Sequence, residues 1–81
     1  MNLTVLTPEK ELFAGNITSV KLPGISVQFE ILKGHAAIVS ALSSGNVRII
    51  DAAGSKTEIA IAKGFIEVLR NEVSVLVTLP K

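Results

Sequence analysis

Apolar and polar residues alternate along most of this chain. In Val27-Gln28-Phe29-Glu30-Ile31-Leu32, the residues Val27, Phe29 and Ile31 fall on one side and Gln28 and Glu30 on the other. This is the period of a half-buried strand, because successive side chains of an extended backbone point to opposite faces. The segment from Glu72 to Leu79 repeats the pattern, with Val73, Val75, Val77 and Leu79 sharing a side. Shorter stretches rich in β-branched and aromatic residues predict further strands at Leu3–Leu6, Ile17–Leu22, Val47–Ile50, Glu58–Ala62 and Phe65–Leu69. Ala36–Leu42 is short for a helix and reads equally well as a strand. No segment sustains a helical period for three turns.

Turn signals punctuate these runs at Gly15-Asn16, Pro23-Gly24, Lys33-Gly34, Ser43-Ser44-Gly45-Asn46, Ala53-Gly54-Ser55, Lys63-Gly64 and Arg70-Asn71. Strands this short, separated by turns this frequent, predict an all-β fold: a flattened β-sandwich or pseudobarrel of about 8–10 short strands. A chain of 81 residues holds one core. With no linker, repeat or low-complexity stretch, residues 1–81 are expected to form a single domain.

Composition narrows the function classes. The hydrophobic fraction of 48% suffices for a core, but a chain of this size is marginally stable alone, so a partner surface can supply part of what the core lacks. There is no cysteine, hence no disulfide and no thiolate metal site. The net charge is +1 with both signs interspersed, which argues against nucleic acid as the main ligand. Phe13, Phe29 and Phe65 sit in apolar segments without basic neighbours and read as core rather than as base-stacking platforms. The opening Met1-Asn2-Leu3-Thr4-Val5-Leu6 lacks the positive region of a signal peptide, and no apolar run reaches the length of a membrane span, so direct membrane insertion is not expected.

The candidate chemistry is sparse. His35 is the only histidine, and Ser40, Ser43 and Ser44 follow it without a G-x-S-x-G elbow. One histidine with no second His or Cys makes a poor metal site, so a structural role or a partner contact is the better reading. Asp51, Glu9 and Glu11 fall in turns or polar loops, and Glu30, Glu58, Glu67 and Glu72 at solvated outward positions. No glycine pattern matches a phosphate-binding loop. The residues therefore point to no catalytic, cofactor or metal site, only to a β-sandwich that binds something. A free-standing binding module and a small hydrolase built on His35 remain as alternative readings at this point.

One run does more than alternate. Leu22-Pro23-Gly24 is followed by Phe29-Glu30-Ile31-Leu32-Lys33-Gly34-His35-Ala36-Ala37, then by Ala41-Leu42 and Gly45-Asn46-Val47-Arg48-Ile49. This order resembles the epsilon-subunit family of rotary ATP synthases, in which an apolar strand leads into a Gly-His-Ala turn and then a Gly-x-x-Arg-Ile strand. Leu6 to Gly15 is similar to the family's first turn, and Gly64-Phe65-Ile66-Glu67-Val68 with Asn71 to Leu76 to its closing hairpin, so nearly the whole chain is covered. Lys33 and Ala37 replace the usual prolines of the turn. Ile25-Ser26-Val27-Gln28 replaces a Gly-rich acidic stretch, and Gln28 stands at a position that is usually a carboxylate.

The resemblance implies a non-catalytic subunit of the rotating central stalk, without cofactor, peripheral on the cytoplasmic face of the bacterial inner membrane. Its implied partners are the gamma subunit, the ring of c subunits and, indirectly, the alpha/beta catalytic head. Gly34, His35 and Ala36, with Ala41 and Leu42 nearby, are the residues expected on the gamma side; Gly24, Ile25, Ser26, Val27 and Gln28 are those expected toward the c ring. Members of the family usually continue into two antiparallel helices that inhibit hydrolysis. Since this sequence stops at Leu79-Pro80-Lys81, the expectation is a subunit that supports coupling and assembly without that inhibitory element.

Overall fold

A computed structural model describes residues 1–81. Eight strands account for the fold: β1 (Asn2–Leu6), β2 (Glu11–Pro23), β3 (Gln28–Leu32), β4 (Ile38–Leu42), β5 (Gly45–Asp51), β6 (Lys56–Ile61), β7 (Lys63–Leu69) and β8 (Glu72–Thr78). The ambiguous segment at Ala36–Leu42 resolves as strand β4. There is no helix, and so none long and apolar enough to cross a membrane.

The strands form two layers that share β2. In the first layer the order is β4-β7-β8-β1-β2, and in the second β2 pairs with both β3 and β5, and β5 with β6. All pairings are antiparallel except β1 with β8, which run parallel and join the two ends of the chain. The expected turn at Gly15-Asn16 is absent. Both residues lie inside β2, which continues through a register shift between Ile17 and Ser19 as it passes from the first layer to the second. Such irregularities increase local twist, and twist lets one long strand serve two sheets.

Fifteen apolar side chains fill the space between the layers. Val5, Ile66, Val68, Val73, Val75 and Val77 come from the first layer; Val20, Leu22, Ile31, Val47, Ile49 and Ile61 come from the second. Burying each stabilises the fold by about 1.5–3 kcal/mol before the entropy of ordering the chain is subtracted. No side-chain polar atom is buried without a partner, so the core carries no desolvation cost of that kind.

Four local expectations are corrected. Phe65 is exposed, not core, because alternation in β7 turns Gly64, Ile66 and Val68 inward and Phe65 outward. Val27 precedes β3 and is exposed, and Leu79 follows β8 and is exposed, so neither extends the apolar row predicted for its strand. Lys63-Gly64 is not a turn but the start of β7, with Ala62 alone separating it from β6.

Candidate interaction surface

The outer faces of the two layers differ in kind. On the first layer, Ala41 stands opposite Phe65, Phe65 opposite Leu76, and Leu76 opposite Leu6, so one apolar row crosses β4, β7, β8 and β1. Phe65 is 60% exposed and Leu76 50%. Both are large apolar groups that an isolated sheet has no reason to place there. A groove of about 410 Å³ runs along one side of the row, bounded by Pro8, Ile25, Ala41, Phe65 and Leu76. A second, of about 350 Å³, lies across Phe65 and Leu76 and is bounded by Leu6, Val39, Glu67 and Ser74.

The second layer presents charge instead. Glu30 stands opposite Lys21, Lys21 opposite Arg48, and Arg48 opposite Glu58. Arg48 Nε lies 3.3 Å from Glu58 Oε2, and Asn46 Nδ2 donates to Glu58 Oε1 at 3.0 Å. Both charged side chains are more than half exposed, so this pair contributes at most about 1 kcal/mol. This is a solvated face.

The residues expected on the gamma side do not form one cluster. Gly34, His35 and Ala36 occupy the turn between β3 and β4, whereas Ala41 and Leu42 lie at the far end of β4. Six steps along the chain separate Ala36 from Leu42, a span of up to about 20 Å at roughly 3.3 Å per residue. Leu42 is also 2% exposed and belongs to the core, leaving only Ala41 of the pair on the surface. At that end Leu42 bridges Gly24, which brings the second group of expected residues beside Ala41 and Leu42, away from the Gly34–Ala36 turn. Within that group Ile25 bounds the apolar groove, whereas Ser26, Val27 and Gln28 border a depression with Pro23, Asn46 and Arg48. The loop thus straddles the corner between the two faces.

Sequence reasoning missed Leu6, Val39, Phe65 and Leu76 as surface residues. A signal was present: Phe65 shares its alternation phase with Lys63 and Glu67, and Leu76 with Ser74 and Thr78. An apolar residue flanked at i−2 and i+2 by polar ones marks an outer face.

His35 is held by its own loop. Its Nδ1 lies 2.8 Å from the carbonyl oxygen of Ala36, and its amide donates to Leu32 O at 3.0 Å. Ser40 Oγ donates to Ala41 O, and Ser43 Oγ to the carbonyls of Pro23 and Gly24. The hydroxyls of Ser40 and Ser43 are engaged with backbone, and no serine hydroxyl, Ser44 included, bonds to His35, whose Nδ1 meets only Ala36 O, so the hydrolase geometry is not assembled. No group of three or more His, Asp or Glu side chains is arranged to hold a metal ion.

The sequence profile described as "ATP synthase, Delta/Epsilon chain, beta-sandwich domain" matches residues 1–78. Among curated relatives, the ATP synthase epsilon chain of Chlorobaculum tepidum is 43% identical over 74 residues, which are 91% of this chain and 84% of that one. Among solved structures, a chain of the Euglena gracilis mitochondrial ATP synthase, OSCP/F1/c-ring in rotational state 1, superposes with a TM-score of 0.84 at 19% identity. The match covers 93% of this chain and 48% of that one. A chain of the Tetrahymena thermophila mitochondrial ATP synthase central stalk/c-ring gives a TM-score of 0.79 at 20% identity, over 96% of this chain and 63% of that one. These two likenesses establish the fold. This chain therefore spans most of the Chlorobaculum relative but less than two thirds of either solved chain.

Proposed function

The chain belongs to the delta/epsilon β-sandwich family of ATP synthase, and from that premise we propose that it is a non-catalytic central-stalk subunit, linking the gamma subunit to the c ring. The observation that carries this reading is the apolar row Ala41–Phe65–Leu76–Leu6 on one outer face, set against the charged row on the other. A rotor component transmits torque through surface complementarity, which needs one face that stays attached and a body that does not deform. The apolar face, with Val39 and Ile25 at its borders, is the gamma-docking surface. A buried apolar centre within a polar rim is the usual anatomy of a stable interface. Lys63 and Glu67 supply the rim here, one on each side of Phe65 along β7.

The loop Gly24–Gln28 is the ring contact. It projects Val27, 70% exposed, from the corner where the two layers meet, so a subunit docked by its apolar face presents this corner to a second partner. The Gly34–Ala36 turn, at the opposite end of β3, is a separate gamma contact rather than part of the same patch. The same reading puts the subunit peripherally on the cytoplasmic face of a bacterial inner membrane, with the alpha/beta head reached only indirectly.

The test is capture of purified gamma subunit by the chain and by F65E, L76E and K21E. The two substitutions in the apolar row are expected to abolish capture, and K21E, on the charged face, to leave it intact. Equal loss in all three, or none in the first two, rules out this docking face. Binding of the gamma-loaded chain to a purified c ring, with and without V27D, tests the loop.

A further inference from the structure

The apolar face is also complementary to itself. Along β7 the outward positions are Lys63, Phe65, Glu67 and, at the end of the strand, Leu69, so a cation and an anion flank the aromatic residue at equal distances. They stand about 13 Å apart at 3.3 Å per residue, too far to pair with each other, and the only ion pair within the chain is Arg48 with Glu58. We propose that the free chain forms a symmetric homodimer, two copies stacked face to face through the row Ala41–Phe65–Leu76–Leu6.

The charges choose the symmetry axis. A two-fold axis lying along the row keeps each row residue against its own counterpart and reverses the strand direction. Lys63 then meets Glu67 of the second copy, and Glu67 meets Lys63 of the second copy, giving two equivalent ion pairs. An axis along the strands would instead set lysine on lysine and glutamate on glutamate. The first arrangement also carries Ile25, at the Lys63 side of the face, toward Val39 of the second copy, at the Glu67 side; these two are 66% and 73% exposed in the single chain. Both contacts are isologous, as a closed two-fold dimer requires. A net charge of +1 offers little repulsion against association.

This homodimer covers the surface assigned above to the gamma subunit, so the two complexes exclude each other. That exclusion rests on the gamma assignment; the self-association does not. In a cell the dimer would hold unassembled subunits with their apolar face covered until gamma displaces one copy.

Sedimentation equilibrium on the chain, on K63E, on E67K, on K63E/E67K and on an equimolar mixture of the two single variants tests the pairing. The unmodified chain is expected to dimerise, and each single variant to dimerise about tenfold or more weakly, since two attractive contacts become repulsive. The double variant, and the mixture of singles as a heterodimer, are expected to recover the original affinity, because both again oppose unlike charges. Lys63 and Glu67 are exposed, so circular dichroism of all variants should be unchanged. A chain that stays monomeric into the millimolar range, or single variants that dimerise like the parent, or a mixture that fails to recover, would overturn the proposal. Titrating gamma into the dimer separates the two ideas: dissolution supports exclusion, and a ternary complex refutes exclusion while leaving the dimer standing.

Discussion

Leu42 and Gly24 bridge antiparallel across the corner where the two layers meet, eighteen positions apart in sequence. Ser43 fastens this junction: its amide donates to Pro23 O at 2.8 Å, and its hydroxyl lies 3.3 Å from Pro23 O and 3.1 Å from Gly24 O. The loop assigned to the c ring is anchored to β4 by these bonds.

Replacing Ser43 with alanine removes the hydroxyl bonds and keeps the amide bond. The expected loss of stability is about 1 kcal/mol, the usual value of a partly buried hydrogen bond. Amide exchange should accelerate at Ile25–Gln28 and remain unchanged in β8. Uniform acceleration along the whole chain would show that Ser43 does not act locally.

Two glycines give opposite tests of space and conformation. A Cβ at Gly64 would stand 2.6 Å from Leu76 O and 2.9 Å from Val77 Cγ1. Gly64 pairs with Leu42 on one side and Val77 on the other, so its backbone has no direction in which to retreat. G64V should cost roughly 1–3 kcal/mol or more through overpacking. At Gly34 nothing lies within 4 Å, but φ is 83°, in the left-handed region. G34A should cost about 1 kcal/mol from conformation alone. Urea unfolding of both variants checks the order, with G64V the less stable.

Charge on the second layer should matter less than a single turn. E58Q breaks the Arg48 pair, but both groups are more than half exposed, so stability should change by less than about 1 kcal/mol. Asp51 Oδ1 accepts from the amides of Ala53 and Ser55, each at 2.9 Å, and so shapes the β5–β6 turn. D51A should cost at least as much as E58Q, about 1 kcal/mol. Thermal melts at low and high salt separate the two: the small effect of E58Q fades with salt, and that of D51A does not.

Most strands were legible in the sequence because period-2 alternation survives wherever one face is buried, as at Val73, Val75 and Val77. Phe65 shows where this reading fails. When both faces of a strand carry apolar residues, the period is kept but hydrophobicity no longer says which phase points inward; here Ile66 and Val68 do, and Phe65 does not. The role of β2 was hidden for another reason. Gly15-Asn16 has the composition of a turn, yet pairing with β1 holds it extended, as Asn2 opposite Asn16 and Leu3 opposite Gly15. Tertiary pairing overrode local propensity. The parallel contact of β1 with β8 joins residues about 70 positions apart, and no local pattern encodes it. For the same reason the apolar row, assembled from four strands, could not be seen before the register was known.

Adjacent residues of β7 separate stability from binding. Ile66 is fully buried between the layers, and Phe65, its neighbour, is 60% exposed on the outer face. I66A leaves a cavity in a packed core and should cost about 2–5 kcal/mol. F65A removes a larger side chain but mostly one that water already reaches, so it should cost under about 1 kcal/mol in unfolding experiments. Binding should reverse the ranking. An aromatic anchor at the centre of an interface commonly contributes about 2 kcal/mol or more, so F65A should weaken gamma capture by roughly 30-fold or more. I66A, assayed at a temperature where it remains folded, should bind nearly as the parent does. If F65A unfolds the chain as readily as I66A and leaves gamma binding unchanged, Phe65 belongs to the scaffold and the docking face lies elsewhere.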